Sequence, residues 1–364
     1  MLPDETIDAA LDVFQTRIDK VKAKYLRLAG EHIAAIGKIG SSDLQRIEQL
    51  RKMETNMITI EAELAAALRI DIKDARALLQ ASAKSVYGDA ADWYDQTAFG
   101  KNPAMRAILT AQVAQTEGTL VNLSRTKLTS TAYQTAIDDA ITAVQTGVTN
   151  YTGAIESSLR EVADEGLRVR YPSGITRRVD TAVRQNILEG VRQTNQRIAD
   201  AVGQEFEADG VEISAHMDCA EDHLDIQGKQ YTLEEFNQLQ STLERPIGEY
   251  NCRHFAFPVI IGISEPAQSE EQLQTLNEQS SKTVTIDGET KSRYEWTQEQ
   301  RRLETAVRYQ KDAANIAHAA GNGTMEAQAQ QQITALRKQY RKVSKAAEIP
   351  TQYDRMKVAG FTRR

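Results

Sequence analysis

The chain has 364 residues, 41% of them apolar and 26% charged, with a formal net charge of −7, which is the composition of a globular protein and not of a disordered one. Two cysteines exclude a disulfide-stapled secreted scaffold, and no apolar run approaches the ~18 residues of a membrane span. The acidity excludes a surface that is basic all over, as coating nucleic acid would need, and MLPDETIDAA lacks the basic and apolar regions of a signal peptide.

Prolines fall only at 3, 103, 172, 246, 258, 266 and 350, and long proline-free stretches permit long helices. Leu11, Phe14, Ile18, Val21, Tyr25 and Leu28 recur at three- and four-residue steps, which is one helix face. Leu44, Ile47, Leu50, Met57, Ile60, Leu64 and Leu68 predict a second helix with Ser42 as N-cap. A third helix is predicted from Ile72 to Tyr87. Asn102-Pro103 reads as an N-cap and N1 proline opening a helix through Leu120. Thr131–Val162 and Asp180–Phe206 complete an extended all-α region over 1–206, whose apolar stripes pack mainly on one another.

The pattern changes at Asp209-Gly210. Residues 207–264 predict a small α+β unit holding both cysteines and three of the five histidines. Val211–Ser214 alternates as a strand, Thr232 caps a helix to Leu243, and Phe255–Gly262 reads as a buried strand or loop. A unit of this size has little core of its own and must lean on its neighbours or on a partner. Residues 265–294 read as an acidic linker with a hairpin at Asp287-Gly288. Helices follow over 295–347, then a basic tail, 348–364. The expected class is mainly α, with a small α+β domain and C-terminal helices carrying a short β-hairpin.

Chemistry concentrates at His216, Cys219, His223, Cys252 and His254. Thiolate and imidazole are the ligands zinc prefers, and four of them close a structural site. The spacing matches no standard finger. The same residues also fit capped turns around a small buried cysteine, or a Cys219–Cys252 disulfide. Asp218, Glu221, Asp222 and Asp225 beside the histidines keep general acid–base chemistry in view. No HExxH, GxSxG or glycine-rich phosphate loop accompanies them.

Two basic segments stand out. Residues 168–197 carry seven arginines against Asp180 and Glu189, readable as a paired helix face or as a partner contact. From Arg337 onward nine basic residues, among them Arg337, Lys338, Arg341, Lys342, Lys345, Arg363 and Arg364, face only Glu348 and Asp354. Such a segment suits sequence-independent phosphate contact, or an arm that orders on a larger assembly.

Several blocks together carry a resemblance. These are Tyr171-Pro-Ser-Gly with Thr176-Arg-Arg-Val-Asp-Thr-Ala-Val-Arg184, then Glu212-Ile-Ser-Ala-His216, His223 and Gln227-Gly228-Lys229. Asn251-Cys252-Arg253-His254, Gly262-Ile263-Ser264-Glu265-Pro266, Tyr294-Glu295 and Gln298 to Glu304 continue the series. In this order they resemble the phage minor capsid protein 2 family, which is similar to the phage Mu F-type head morphogenesis proteins. Where that family carries a Gly-Ala-Arg-Pro-Ser-like run between its two histidines, this chain has Met217 to Asp222. Cys219 is therefore not a family position, and His216, His223, Cys252 and His254 remain as the zinc candidates. The resemblance implies a non-enzymatic minor head protein of a tailed phage or prophage, assembled in the host cytoplasm and present in several copies. It would lie in the head interior or at the portal vertex. Its expected partners are the portal protein, the major capsid protein or other head proteins, and packaged double-stranded DNA, with no membrane. Expected cofactors are none beyond that structural zinc. The competing readings are a metal- or Cys-dependent hydrolase or toxin centred on 216–254, and a free DNA-binding protein acting through its basic tail.

Overall fold

The computed structural model describes residues 2–36, 43–94, 99–126, 128–145, 151–171, 173–249 and 252–362. It begins with α1, Asp4–Ile36, and α2, Asp43–Tyr94. At 52 residues, α2 has a contour of roughly 78 Å. It joins two helices that the sequence divides near residue 70, where the apolar stripe pauses between Leu68 and Ile72. The next position on the buried face is Asp71, fully buried. Arg17 of α1 meets its carboxylate at 2.7 Å and reaches Asp74 at 2.5 Å. A paired carboxylate thus occupies a core position, which hydropathy patterning reads as a break. The predicted Ser42 cap lies outside the described residues.

The third helix, α3 (Pro103–Arg125), starts as its sequence specifies. Asn102 Oδ1 accepts the backbone N–H groups of Ala104 at 3.0 Å and Met105 at 3.2 Å, two of the donors a helix start leaves unpaired. The single stretch expected over 131–162 is two packed helices, α4 (Thr131–Gln145) and α5 (Tyr151–Glu165).

The all-helical reading of 1–206 is corrected between 128 and 178. Strands β1 (Leu128–Thr129), β2 (Arg168–Arg170) and β3 (Thr176–Arg178) form an antiparallel sheet in that order. Leu128 pairs with Val169, and Arg168 with Arg178. Strands this short give alternation no length over which to be read. The long α6, Val179–Glu205, follows directly.

The α+β unit holds β4 (Gly210–Ile213), β5 (Gln230–Thr232), α7 (Leu233–Thr242) and β6 (Ala256–Val259). Within the expected linker, Glu270–Ser281 is a helix, α8, opened by a capping box between Ser269 and Gln272. Its polar composition hid it, because most of its side chains remain in water. The predicted hairpin is present as β7 (Thr283–Ile286) and β8 (Glu289–Ser292). Asp287 and Gly288 have φ of 54° and 84°, as its tight turn requires. The chain continues through α9 (Arg293–Ala319) and α10 (Gly323–Ala346).

One apolar core joins α1 to α6 with the second half of α9, through side chains such as Phe14, Tyr25, Leu64, Tyr133, Ile187 and Ile316. The first half of α9 packs instead on α10 and the hairpin, through Trp296, Leu303, Val307, Tyr340 and Ile286. The C-terminal helices are therefore docked along the N-terminal bundle. At Gly30 the two come close, since a Cβ there would lie 2.7 Å from the Ile316 carbonyl oxygen.

At the same junction sits a buried ion cluster. Lys22 Nζ lies 3.1 Å from Asp19 and 3.0 Å from Asp312, and Arg178 lies 3.1 Å from Asp312 and 3.5 Å from Asp180. It ties α1, β3, α6 and α9 together. Burial would lower the Lys22 ammonium, but Asp312 and Asp19 outweigh that and raise it.

The described part of the tail does not stand away as an arm. Lys311 Nζ donates to the Met356 carbonyl at 2.6 Å, Asn315 to that of Ala359 at 3.1 Å, and Arg355 pairs with Asp8 at 3.0 Å. Met356 and Val358 are buried, so residues 348–362 lie along the helical body.

His32, on α1, links three elements. Its Nε2–H donates to Gln49 Oε1 at 2.8 Å, and its Nδ1 accepts the Tyr133 hydroxyl at 2.7 Å. Asn56 Nδ2 donates to that hydroxyl at 3.1 Å. Burial lowers the imidazole below its ordinary value, with the Gln49 bond opposing. A depressed histidine contributes stability that is complete above its unfolded value near ~6.5 and fades as pH falls toward the folded value. Urea midpoints should therefore drop between neutral and mildly acid pH, and a His32→Gln variant should show a flatter acid limb. An identical acid limb in both proteins would contradict this.

Candidate metal centre and basic face

The unit's sheet runs β5-β4-β6, antiparallel throughout, with Gly210 opposite both Thr232 and Val259. Only glycine fits at 210, since a Cβ there would lie 2.5 Å from Ile261 Cδ1 and 2.6 Å from the Tyr231 carbonyl. At one end of the sheet the chain leaves β4 into 214–227 and enters β6 through 252–254. Ser214 ties the two paths, its N–H donating to the Phe255 carbonyl at 2.8 Å and its Oγ accepting the Phe255 N–H at 2.9 Å. A helical turn at Glu221–His223 then points His223 back toward Cys252 and His254.

Three ligand-type atoms converge there. His223 Nδ1 is 3.3 Å from His254 Nδ1, and Cys252 Sγ is 3.8 Å from the first and 3.5 Å from the second. Their neighbours assign the ring protons. His223 Nε2 lies 2.7 Å from the Arg245 carbonyl, which can only accept, so Nε2 carries the hydrogen. Asn277 Nδ2 donates to the Leu224 carbonyl at 3.0 Å, which turns its Oδ1 toward Gln227 Nε2 at 2.7 Å. Gln227 Oε1 is thereby the acceptor facing His254 Nε2 at 3.1 Å and the His216 N–H at 3.0 Å. With both rings neutral, the two Nδ1 atoms present lone pairs to each other and to the sulfur.

The electrostatics keep His254 neutral and draw the proton of the Cys252–His223 pair toward the imidazole. Burial pulls the His254 imidazole down to about 3, with His216 and His223 adding to it, so it stays neutral. Burial would raise the Cys252 thiol, but His223 and the backbone N–H groups of Gly248 and His254 override that and lower it. Burial would lower His223, yet Cys252 and the Arg245 carbonyl lift it.

Of the four residues grouped by sequence, the structure brings together His223, Cys252 and His254 and leaves His216 aside. The His216 Nδ1–H donates to the Met217 carbonyl at 2.9 Å, and its ring lies against that of His254 at 4.3 Å between centroids. Cys219 faces the other edge of His254, 3.4 Å from Nε2, while its thiol donates to the Ala220 carbonyl at 3.2 Å. Burial pushes that thiol up to about 12, with Cys252 and Asp222 adding. Both cysteines are free thiols, which removes the disulfide reading. Gln227 and Asn277 were not among the predicted site residues. Gln227 stood in the block Gln227-Gly228-Lys229, but nothing local marks an amide as the hub of a buried network.

The unit leans on its neighbours as its size demands. Asp218, at φ 61°, donates its N–H to Ser280 Oγ of α8 at 3.1 Å and accepts from Arg293 of α9 at 2.7 Å. Gly203 of α6 approaches Pro258, where a Cβ would lie 2.7 Å away.

Three of the arginines of 168–197 form internal ion pairs. Arg178 binds Asp312, Arg184 binds Asp8 at 3.0 Å, and Arg192 binds Glu189 at 2.5 Å. On α10 the outcome differs. Lys338, Arg341, Lys342 and Lys345 are all exposed, and their spacing sets them on one helix face. Lys342 pairs with Asp287 of the hairpin. Arg337 is half-buried, its guanidinium over the Tyr353 ring at 5.9 Å. Arg363 and Arg364 lie outside the described residues.

Among the described residues no helix is long and apolar enough to cross a membrane. A family model described as phage minor capsid protein 2 matches residues 41–343. No curated protein and no solved structure matches the chain.

Proposed function

The chain belongs to the phage minor capsid protein 2 family and is a structural protein of the phage head; from that premise we propose that it sits at the portal vertex with the basic face of α10 turned toward packaged DNA. The observation that supports this reading is the exposed row Lys338, Arg341, Lys342 and Lys345. Residues 327–347 contain no acidic side chain. The whole chain is acidic, so a duplex would be repelled from most of its surface and attracted only where positive charge is gathered. A row of lysine and arginine along one helix can follow a phosphate backbone without reading bases. Long α1, braced by the α9 junction, and α2 packed along it suit a body that spans neighbouring subunits of a portal ring.

Binding of the full chain to random-sequence duplex, followed by fluorescence anisotropy across a salt series, tests the DNA contact. The plot of log affinity against log salt should flatten by roughly 0.9 for each phosphate contact removed. Lys338→Gln, Arg341→Gln and Lys345→Gln should therefore flatten it stepwise. Salt-independent binding, or an unchanged slope in the triple variant, would reject the DNA-facing orientation. Heads assembled without portal protein should lack this chain, and its retention there would reject the vertex position.

A further inference from the structure

We propose that His223 Nδ1, His254 Nδ1 and Cys252 Sγ bind one zinc ion, with a water in the fourth position, and that the ion clamps the 214–227 segment to the strand entering β6. A tetrahedral zinc with bonds of 2.0–2.1 Å to nitrogen and 2.3 Å to sulfur separates two ligand nitrogens by about 3.3 Å and a nitrogen from a sulfur by about 3.6 Å. The three separations here are 3.3, 3.5 and 3.8 Å. Mutual hydrogen bonding accounts for the cluster less well. With both rings neutral, a single S–H can satisfy one imidazole lone pair, which leaves the other Nδ1 facing a lone pair inside a buried site. A cation at the centre satisfies all three atoms together.

The surroundings are those of ligands already oriented. Each imidazole donates its remote N–H to a fixed oxygen, His223 to the Arg245 carbonyl and His254 to Gln227 Oε1. Backbone N–H groups of Gly248 and His254 point at the Cys252 sulfur. Such outer partners fix the tautomer and hold the ligand atoms on the ion. One thiolate with two imidazoles favours zinc over the oxygen-seeking magnesium and calcium. Cys219 is not a ligand, because its sulfur lies at the opposite edge of His254 and its proton is committed to the Ala220 carbonyl.

The full-length chain, expressed with zinc and freed of any histidine tag, should carry one zinc per molecule by elemental mass spectrometry. Cobalt exchanged into it should show a thiolate charge-transfer band and the intense visible absorption of a four-coordinate ion. Cys252→Ser and His254→Ala should lose the metal, whereas Cys219→Ser should keep it and keep the cobalt spectrum. Substoichiometric zinc in the wild-type chain, a cobalt spectrum without the thiolate band, or loss of metal in Cys219→Ser would each overturn the assignment. If the ligand variants fail to fold, the wild-type cobalt spectrum still decides. Cys252 should be alkylated by iodoacetamide only after chelation. Rapid alkylation that a chelator does not change would instead indicate a thiolate–imidazolium pair and overturn the zinc.

Discussion

Replacing Asp312 with alanine is expected to destabilise the fold by about 3–5 kcal/mol, the range for removing one partner of a buried ion pair. Asp312 is fully buried and meets Lys22 at 3.0 Å and Arg178 at 3.1 Å. Truncation leaves two desolvated cations sharing Asp19 at 3.1 Å and Asp180 at 3.5 Å. A surface pair gives the contrast. Arg27 and Glu31, both about half exposed, should contribute only about 0.3–0.5 kcal/mol, and Arg27→Ala should be nearly silent. Chemical unfolding of both variants measures the difference. Equal midpoints would mean that the cluster does not hold α9 to α1.

Gln227→Leu should have a comparable effect through a different route. The fully buried Gln227 serves His254, the His216 backbone and Asn277 together. An apolar side chain of similar size strands two donors and one acceptor, at about 1–3 kcal/mol for each group left unpaired. It also frees the His254 ring to rotate, so zinc affinity should fall by 10- to 100-fold, as it does when a ligand's outer partner is lost. Competition with a chromophoric chelator reads the affinity, and unfolding curves read the stability. Unchanged stability would remove Gln227 from the centre of the network. Weakened unfolding with unchanged zinc affinity would show that it packs the loop without orienting the ligand.

Much of the framework was legible because its causes are local. The Asn102-Pro103 start, the Thr232 cap and the Asp287-Gly288 turn each depend on a few neighbouring residues with fixed conformational preferences, and each is found where its residues stand. The interruption of α2 was misread because Asp71 looks like a break until Arg17 is placed beside it. α8 was misread because a helix with one buried side chain has almost no stripe. The β1-β2-β3 sheet escapes a sequence reading because its strands are only two or three residues long and because β1 pairs with β2 some forty residues further along the chain.

The sequence alone determined the helical class, the family and the pool of cysteine and histidine candidates. Periodicity, capping and residue type depend on short stretches of chain, and they survive whatever the tertiary arrangement. Only the tertiary structure decided which three of those candidates meet, which side of His254 Cys219 occupies, and which basic residues are spent on internal pairs and which face water. Those outcomes depend on separations of a few ångströms between residues distant in the chain. The packing of β4, β6, α8 and α9 sets them, and residue spacing carries no measure of it.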